Sequence, residues 1–208
     1  MDLKNTLLFA ARHGTTVLNE KGCFRGPLNP PLDEKGKRDA EELGKFFQDI
    51  PIACIISSDK TRALQTAHTI AKYKPGIEIY PNSGLHALNV GNFAGKPKDE
   101  NEDEFEYYVQ NPDVTIPGGE SLNGFKARVR PLLAEGVKLS NQIGKPVLFT
   151  IHSSIIHEMG SMINNDHEST LVKPGGAARI YYGNGNLKAE PILKPDFQSG
   201  RSGADKIS

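Results

Sequence analysis

The stretch Thr6-Leu7-Leu8-Phe9-Ala10-Ala11-Arg12-His13-Gly14 is a short apolar run that ends in a cation, an imidazole and a glycine. A continuous apolar segment of this length fits a buried strand covered on both faces. A histidine at the end of such a strand stands at a sheet edge, poised for chemistry. Arg12 adds a planar fork of donors suited to phosphate, and Gly14 lets the backbone turn sharply and leave room for a ligand. A second apolar run, Val147 to Ile151, ends in the same way at His152. Together these endings point to a phosphate-handling site with a histidine nucleophile.

Working outward, residues 15–31 are rich in Gly, Pro and Asn and read as a loop forming the mouth of the site. Asp33 is placed to cap a helix whose apolar positions Ala40, Leu43, Gly44 and Phe47 recur at helical spacing, ending near Pro51. Residues 52–56 form a short β-branched strand, and Ser57, Ser58 and Asp59 offer caps for a helix running to Tyr73 with Ala63, Ala67 and Ile70 on one face. Residues 77–80 make a third strand, and residues 85–95 a glycine-containing connection. The acidic stretch 99–106 reads as a solvated helix face or a lid. Leu122, Phe125, Val129, Leu132 and Leu133 trace a long helix that Pro131 should kink or divide. Residues 153–163 follow the fourth strand as a helix. Residues 177–182 and 189–193 form a hairpin around Gly183-Asn184-Gly185-Asn186. Strands alternating with helices predict a three-layer α/β/α sandwich with a mostly parallel sheet and an antiparallel edge.

The chain has 208 residues, and its 25 Lys plus Arg balance 25 Asp plus Glu for a formal net charge of zero. This predicts one α/β domain over residues 1–194 and a loose polar tail over 195–208. With no long basic run, neither nucleic acid nor an anionic membrane is an expected partner. The first apolar run is too short for a signal-peptide core and nothing later approaches spanning length, so a cytoplasmic protein is expected. Cys23 and Cys54 make neither a disulfide framework nor a metal set: Cys54 reads as a buried small residue and Cys23 as a loop position. His152, His157 and His167 do not form a metal site by spacing, and no cofactor is implied. The oligomeric state stays open.

In such a sheet, ligands collect outside the carboxyl ends of the strands. Arg12, His13, Arg62 and His152 each closely follow a predicted strand, so all four converge there. Four segments carry a wider likeness: Arg12-His13-Gly14-Thr15-Thr16 with Asn19; Asn29-Pro30-Pro31-Leu32 with Gly36; Ser57-Ser58-Asp59-Lys60-Thr61-Arg62-Ala63-Leu64-Gln65-Thr66-Ala67; and Gly118-Gly119-Glu120-Ser121. Over residues 6 to about 182 the chain resembles the histidine phosphatase superfamily, the phosphoglycerate-mutase-like proteins. His152 stands where that family has its second histidine, with Ser153 in place of the usual glycine.

The resemblance implies that His13 attacks phosphorus to give a phosphohistidine that water hydrolyses, without a metal. Arg12 and Arg62 stabilise the equatorial oxygens, and nearby cations favour neutral imidazole at His13. His152 donates to the same oxygens. Asn19, Arg25, Gly26, Ser153 and His86 are the expected phosphate- and substrate-binding residues, and Lys96 and Lys98 are solvated or meet an acidic substrate. The family's proton-transferring glutamate falls on Ala87, within Leu85-His86-Ala87-Leu88-Asn89-Val90-Gly91. Loss of an acid-base group typically costs ~10²- to 10⁴-fold. Glu120 is the first replacement expected and His86 the second, although Glu120 equally suits a helix-start carboxylate. Otherwise the substrate carries a good leaving group, or the protein binds phosphate esters with little turnover. The expected function is a phosphatase acting on a small phosphorylated substrate or a phosphoprotein. A mutase ranks lower because residues 95–118 leave little room for a substrate-enclosing insertion.

Overall fold

The computed structural model describes residues 3–166 and 168–193. His167 and the predicted tail at 195–208 lie outside the described residues. The elements are β1 (Thr6–Arg12), α1 (Val17–Glu20), α2 (Glu34–Phe47), β2 (Ile55–Ser57), α3 (Thr61–Lys72), β3 (Ile79–Pro81), α4 (Glu102–Gln110), α5 (Leu122–Ile143), β4 (Val147–Ile151), α6 (Ser153–Asn164), β5 (Ala177–Gly183) and β6 (Asn186–Leu193). The six strands form one sheet in the order β3-β2-β4-β1-β5-β6. The first four in that order run parallel, and β5 and β6 add the antiparallel edge.

Alternation along β1 sorts side chains between two cores. Leu8 and Ala10 join Phe149 and Ile151 of β4, together with Phe125 and Val129 of α5 and Ile155 and Met159 of α6. Phe9 and Ala11 join Leu148, Ile55, and the apolar faces of α2 and α3. Each fully buried Leu, Ile or Phe contributes ~1.5–3 kcal/mol, so the central strands are held from both faces. α5 comes close to the sheet at Gly136, where a Cβ would stand 2.7 Å from Phe149 Cζ. Pro131 lies on the exposed side of α5, which runs undivided through it. Water can serve the carbonyl that proline leaves without a donor.

The local departures from the sequence reading have local causes. Residues 17–20 of the expected loop close into α1, because Asn19 Oδ1 accepts from both the backbone N–H and the hydroxyl of Thr16. Helix α3 begins at Thr61 after Lys60, with no side-chain cap. β6 starts at Asn186, earlier than expected, because Asn184 (φ 54°) and Gly185 (φ 79°) make the whole turn.

Gly14 does not have a positive φ; its role is close packing. A Cβ there would lie 2.2 Å from Gly36 O, and one on Gly36 would lie 2.0 Å from Thr15 O. The start of α2, capped by Asp33 Oδ1 on Gly36 N at 2.7 Å, thus seats directly on the backbone after His13. Asp39 Oδ2 locks the contact by accepting from Thr15 N at 2.9 Å and Thr15 Oγ1 at 2.6 Å. Gly36→Ala is expected to cost about 1–3 kcal/mol through overpacking, read as a lowered urea midpoint. An unchanged midpoint would mean that α2 can slide without loss.

Candidate active site

Parallel pairing brings the strand ends level. Arg12 is in register with Ile151, and Ser57 with Thr150. His13 N then donates to Ile151 O, and Ser58 N to Thr150 O. The residues immediately after three strands, His13, Ser58 and His152, therefore meet at one edge. The rings of His13 and His152 lie edge to face with centroids 5.2 Å apart, and His152 Nε2 and Ser58 Oγ are 2.9 Å apart.

The hydrogen bonds of His13 fix its tautomer. Nδ1 lies 2.7 Å from Gly14 O, a carbonyl that can only accept, so Nδ1 carries the proton. Nε2 is left with its lone pair and accepts from Arg62 Nε at 3.2 Å. Arg62 is held by Nη1 donating to Leu28 O at 2.8 Å. Thr66 Oγ1 accepts from Gly14 N and donates to Arg62 O, clamping the loop and α3 together. Arg12 donates through Nη1 to Val172 O.

Charge in this site is one-sided. Arg12, His13, Arg25, Arg62 and His152 are all buried, Arg62 with 0% exposure. Burial, then the charges of Arg62, Arg25 and Arg12, hold the His13 imidazole well below its ordinary 6.5, against the opposing pull of the Gly14 hydrogen bond. Burial, then Arg62, His13, Arg25 and His86, do the same for His152. Burial, with Arg25 second, presses the Arg62 guanidinium down to about 9. Arg62 Nη2 and His152 Nδ1 are buried without a hydrogen bond among the described residues. A site with two neutral imidazoles, clustered guanidiniums and orphaned buried polar groups is arranged for an anion.

Both histidines bind fewer protons folded than unfolded below pH 6.5, so folding stability is complete above that value and falls as pH drops toward the depressed folded values. The urea midpoint is expected to decline from pH 7 toward pH 5, and less steeply in His152→Gln. An equal decline in that variant would move the acid sensitivity to other groups.

A recess of about 10 Å³ is lined by Arg25, Gly26, Arg62, Ala87, His152 and Ser153. That is room for about one water, so a phosphoryl group enters only if rim side chains move. A wider groove of about 510 Å³ lies at the opposite end of the sheet, lined by Leu3, Thr6, Leu7 and Pro146 among others. It lacks the strand-end position that ligands favour. Among the described residues, no group of three His, Cys, Asp or Glu side chains is placed to hold a metal ion, and no helix is long and apolar enough to cross a membrane. Both cysteines are buried, and burial pushes the Cys54 thiol up.

Of the predicted site residues, Arg12, His13, Arg25, Gly26, Arg62, His152 and Ser153 are brought together. Asn19 uses its side-chain oxygen on Thr16, and none of Asn19, His86 and Glu120 is among the residues lining the recess. Glu120 Oε1 accepts from Asn89 N at 2.9 Å and from Arg128 Nη2 at 2.7 Å. Arg128 Nη1 in turn donates to Gly84 O and His86 O, so Glu120 braces the segment that carries Ala87. His86 is paired through Nε2 with Asp59 Oδ1. The sequence reading gave Ser58 and Asp59 as helix caps and, with Thr66, as part of a segment that carries the family likeness, but assigned none of them a site role and did not single out Arg128. The available signal was the polar run Ser57 to Asp59 just beyond a predicted strand.

Fold and site together define an α/β protein with clustered buried guanidiniums beside two histidines of lowered basicity at the carboxyl edge of a parallel sheet. The family model of the histidine phosphatase superfamily (branch 1) matches residues 8–172, and the chain belongs to that superfamily. It is 27% identical over 214 aligned positions to the 2,3-bisphosphoglycerate-dependent phosphoglycerate mutase of Chlamydia caviae, covering 86% of this chain and 94% of that protein. The enzyme of the same name from Chlamydia trachomatis serovar L2 is 25% identical, covering 85% and 93%. The phosphoglycerate mutase structure from Bacillus anthracis superposes with a TM-score of 0.77 at 23% identity, covering 91% and 95% of the two chains.

Proposed function

We propose that this protein is a metal-independent phosphatase that hydrolyses a small phosphomonoester or activated phosphate through a phosphohistidine at His13. The observation that carries this reading is the His13 tautomer, with Nδ1–H held by Gly14 O and the Nε2 lone pair facing Arg62. The Nε2 lone pair forms the bond to phosphorus while the ester oxygen leaves with its electron pair. Arg12, Arg25, Arg62 and His152 Nδ1 hold the equatorial oxygens, and water then takes the phosphoryl group from His13.

The names of the chlamydial relatives favour a second reading, phosphoryl shuttling between positions of a phosphoglycerate-like substrate. Against it, the segment between Gly95 and Gly118 contains one helix of nine residues, α4. The test is incubation with acetyl phosphate and aryl phosphates, then with monophosphorylated hydroxy acids. An acid-labile adduct on His13 that yields inorganic phosphate supports the phosphatase, and one that yields an isomeric phosphate ester supports the mutase. Phosphate-ester binding with neither product would support a binding module, consistent with alanine at position 87.

A further inference from the structure

On the phosphatase reading just given, we infer that His86, oriented by Asp59, supplies the proton transfer that Ala87 cannot. The two side chains come from separate elements and pair with each other; neither lines the recess, and each is one residue along the chain from a residue of the site. Asp59 directly follows Ser58, whose hydroxyl touches His152, and His86 directly precedes Ala87, which lines the recess. His86 Nε2 is paired with Asp59 Oδ1. Among the described residues its Nδ1 makes no hydrogen bond, so in the imidazolium that nitrogen is the N–H that can meet the leaving oxygen. The His86 side chain is 34% exposed and that of Asp59 41%, so protons can exchange with solvent between turnovers. The His86 backbone is fixed twice, by Arg128 Nη1 on His86 O and by His86 N on Ser83 O.

The proton balance closes over both half-reactions. As the bond from His13 Nε2 to phosphorus forms and the ester P–O bond breaks, the departing oxygen takes the Nδ1 proton of the His86 imidazolium. Neutral His86 then removes a proton from the attacking water, the P–N bond returns its electron pair to His13, and the imidazolium is restored. Asp59 is a positioning residue that accepts from Nε2–H and selects Nδ1 as the transferring atom. Glu120, the competing donor, has Oε1 committed to Asn89 and Arg128.

Leaving-group dependence separates proton donation from support. The first-turnover release of alcohol from an alkyl phosphate and of phenolate from 2,4-dinitrophenyl phosphate is to be measured side by side. His86→Gln is expected to lower the alkyl-to-aryl rate ratio by about 10²-fold or more, within the range for general acid catalysis. Asp59→Asn should lower it in the same sense by less, and Glu120→Gln, which acts only through Arg128 on the His86 backbone, by less again. A fall of both rates together in His86→Gln, or a ratio lowered as much in Glu120→Gln as in His86→Gln, would overturn the assignment. If the wild-type protein releases neither leaving group in a His13-dependent manner, the phosphatase reading itself fails and the dyad falls with it.

Discussion

His13→Ala is expected to reduce turnover of phosphate esters by roughly 10⁴- to 10⁶-fold, the scale of loss when one member of a nucleophilic unit is deleted. The acid-labile adduct should vanish with it. The size of the effect follows from how much of the site exists to prepare one atom. The Gly14 carbonyl holds the ring by Nδ1, while burial first and the guanidiniums next depress its basicity; on the proposed mechanism the same guanidiniums receive the phosphoryl oxygens. His152, the other imidazole at this edge, has its Nε2 engaged with Ser58 Oγ and stands behind the first ring rather than replacing it. Rapid quench followed by peptide mass spectrometry checks the prediction. An adduct that persists in His13→Ala and maps to His152 would reverse the two roles.

Much of this arrangement was legible because it is built from strand ends. An apolar run that stops at a polar residue marks where a buried strand reaches the sheet edge, and two such endings place His13 and His152 at one edge once the strands are parallel; β2 runs one residue past its expected end, which brings Ser58 to the same edge. The apolar faces of α2 and α3 follow equally from spacing, down to Ala40, Leu43, Phe47, Ala67 and Ile70. What escaped is set by contacts between distant segments. Asp59 and His86 meet through the separate packing of α3 and the segment after β3, and Arg128 of α5 reaches the backbone of that segment at Gly84 O and His86 O. No local pattern encodes such pairs. Asn19 shows the same limit from the other side: a residue in the right loop for a phosphate cradle spends its oxygen on closing a helical turn. Gly14 was recognisable as required, but the reason, contact with the backbone of Gly36, depends on where α2 docks.

Arg62→Met should separate stability from function. The guanidinium is fully buried, pressed down to about 9 by burial and by Arg25, and leaves Nη2 without a hydrogen bond among the described residues. Such a group is costly until an anion arrives, because a buried charge carries a desolvation penalty of several kcal/mol that an apolar side chain of similar length does not. The variant is therefore expected to melt at or above the wild-type temperature in phosphate-free buffer. Inorganic phosphate at 100 times its dissociation constant should stabilise the wild type by about 2.7 kcal/mol through mass action, whereas Arg62→Met should barely respond. Catalysis should fall by about 10²- to 10³-fold, the usual loss for one preorganised donor to a developing oxyanion. Thermal melts with and without phosphate, beside kcat/KM, decide the matter. If Arg62→Met is strongly destabilised in the absence of phosphate, its bonds to Leu28 O and His13 Nε2 are the reason for its burial. Arg62 is then chiefly a brace for the mouth loop, and the anion falls to Arg12 and Arg25.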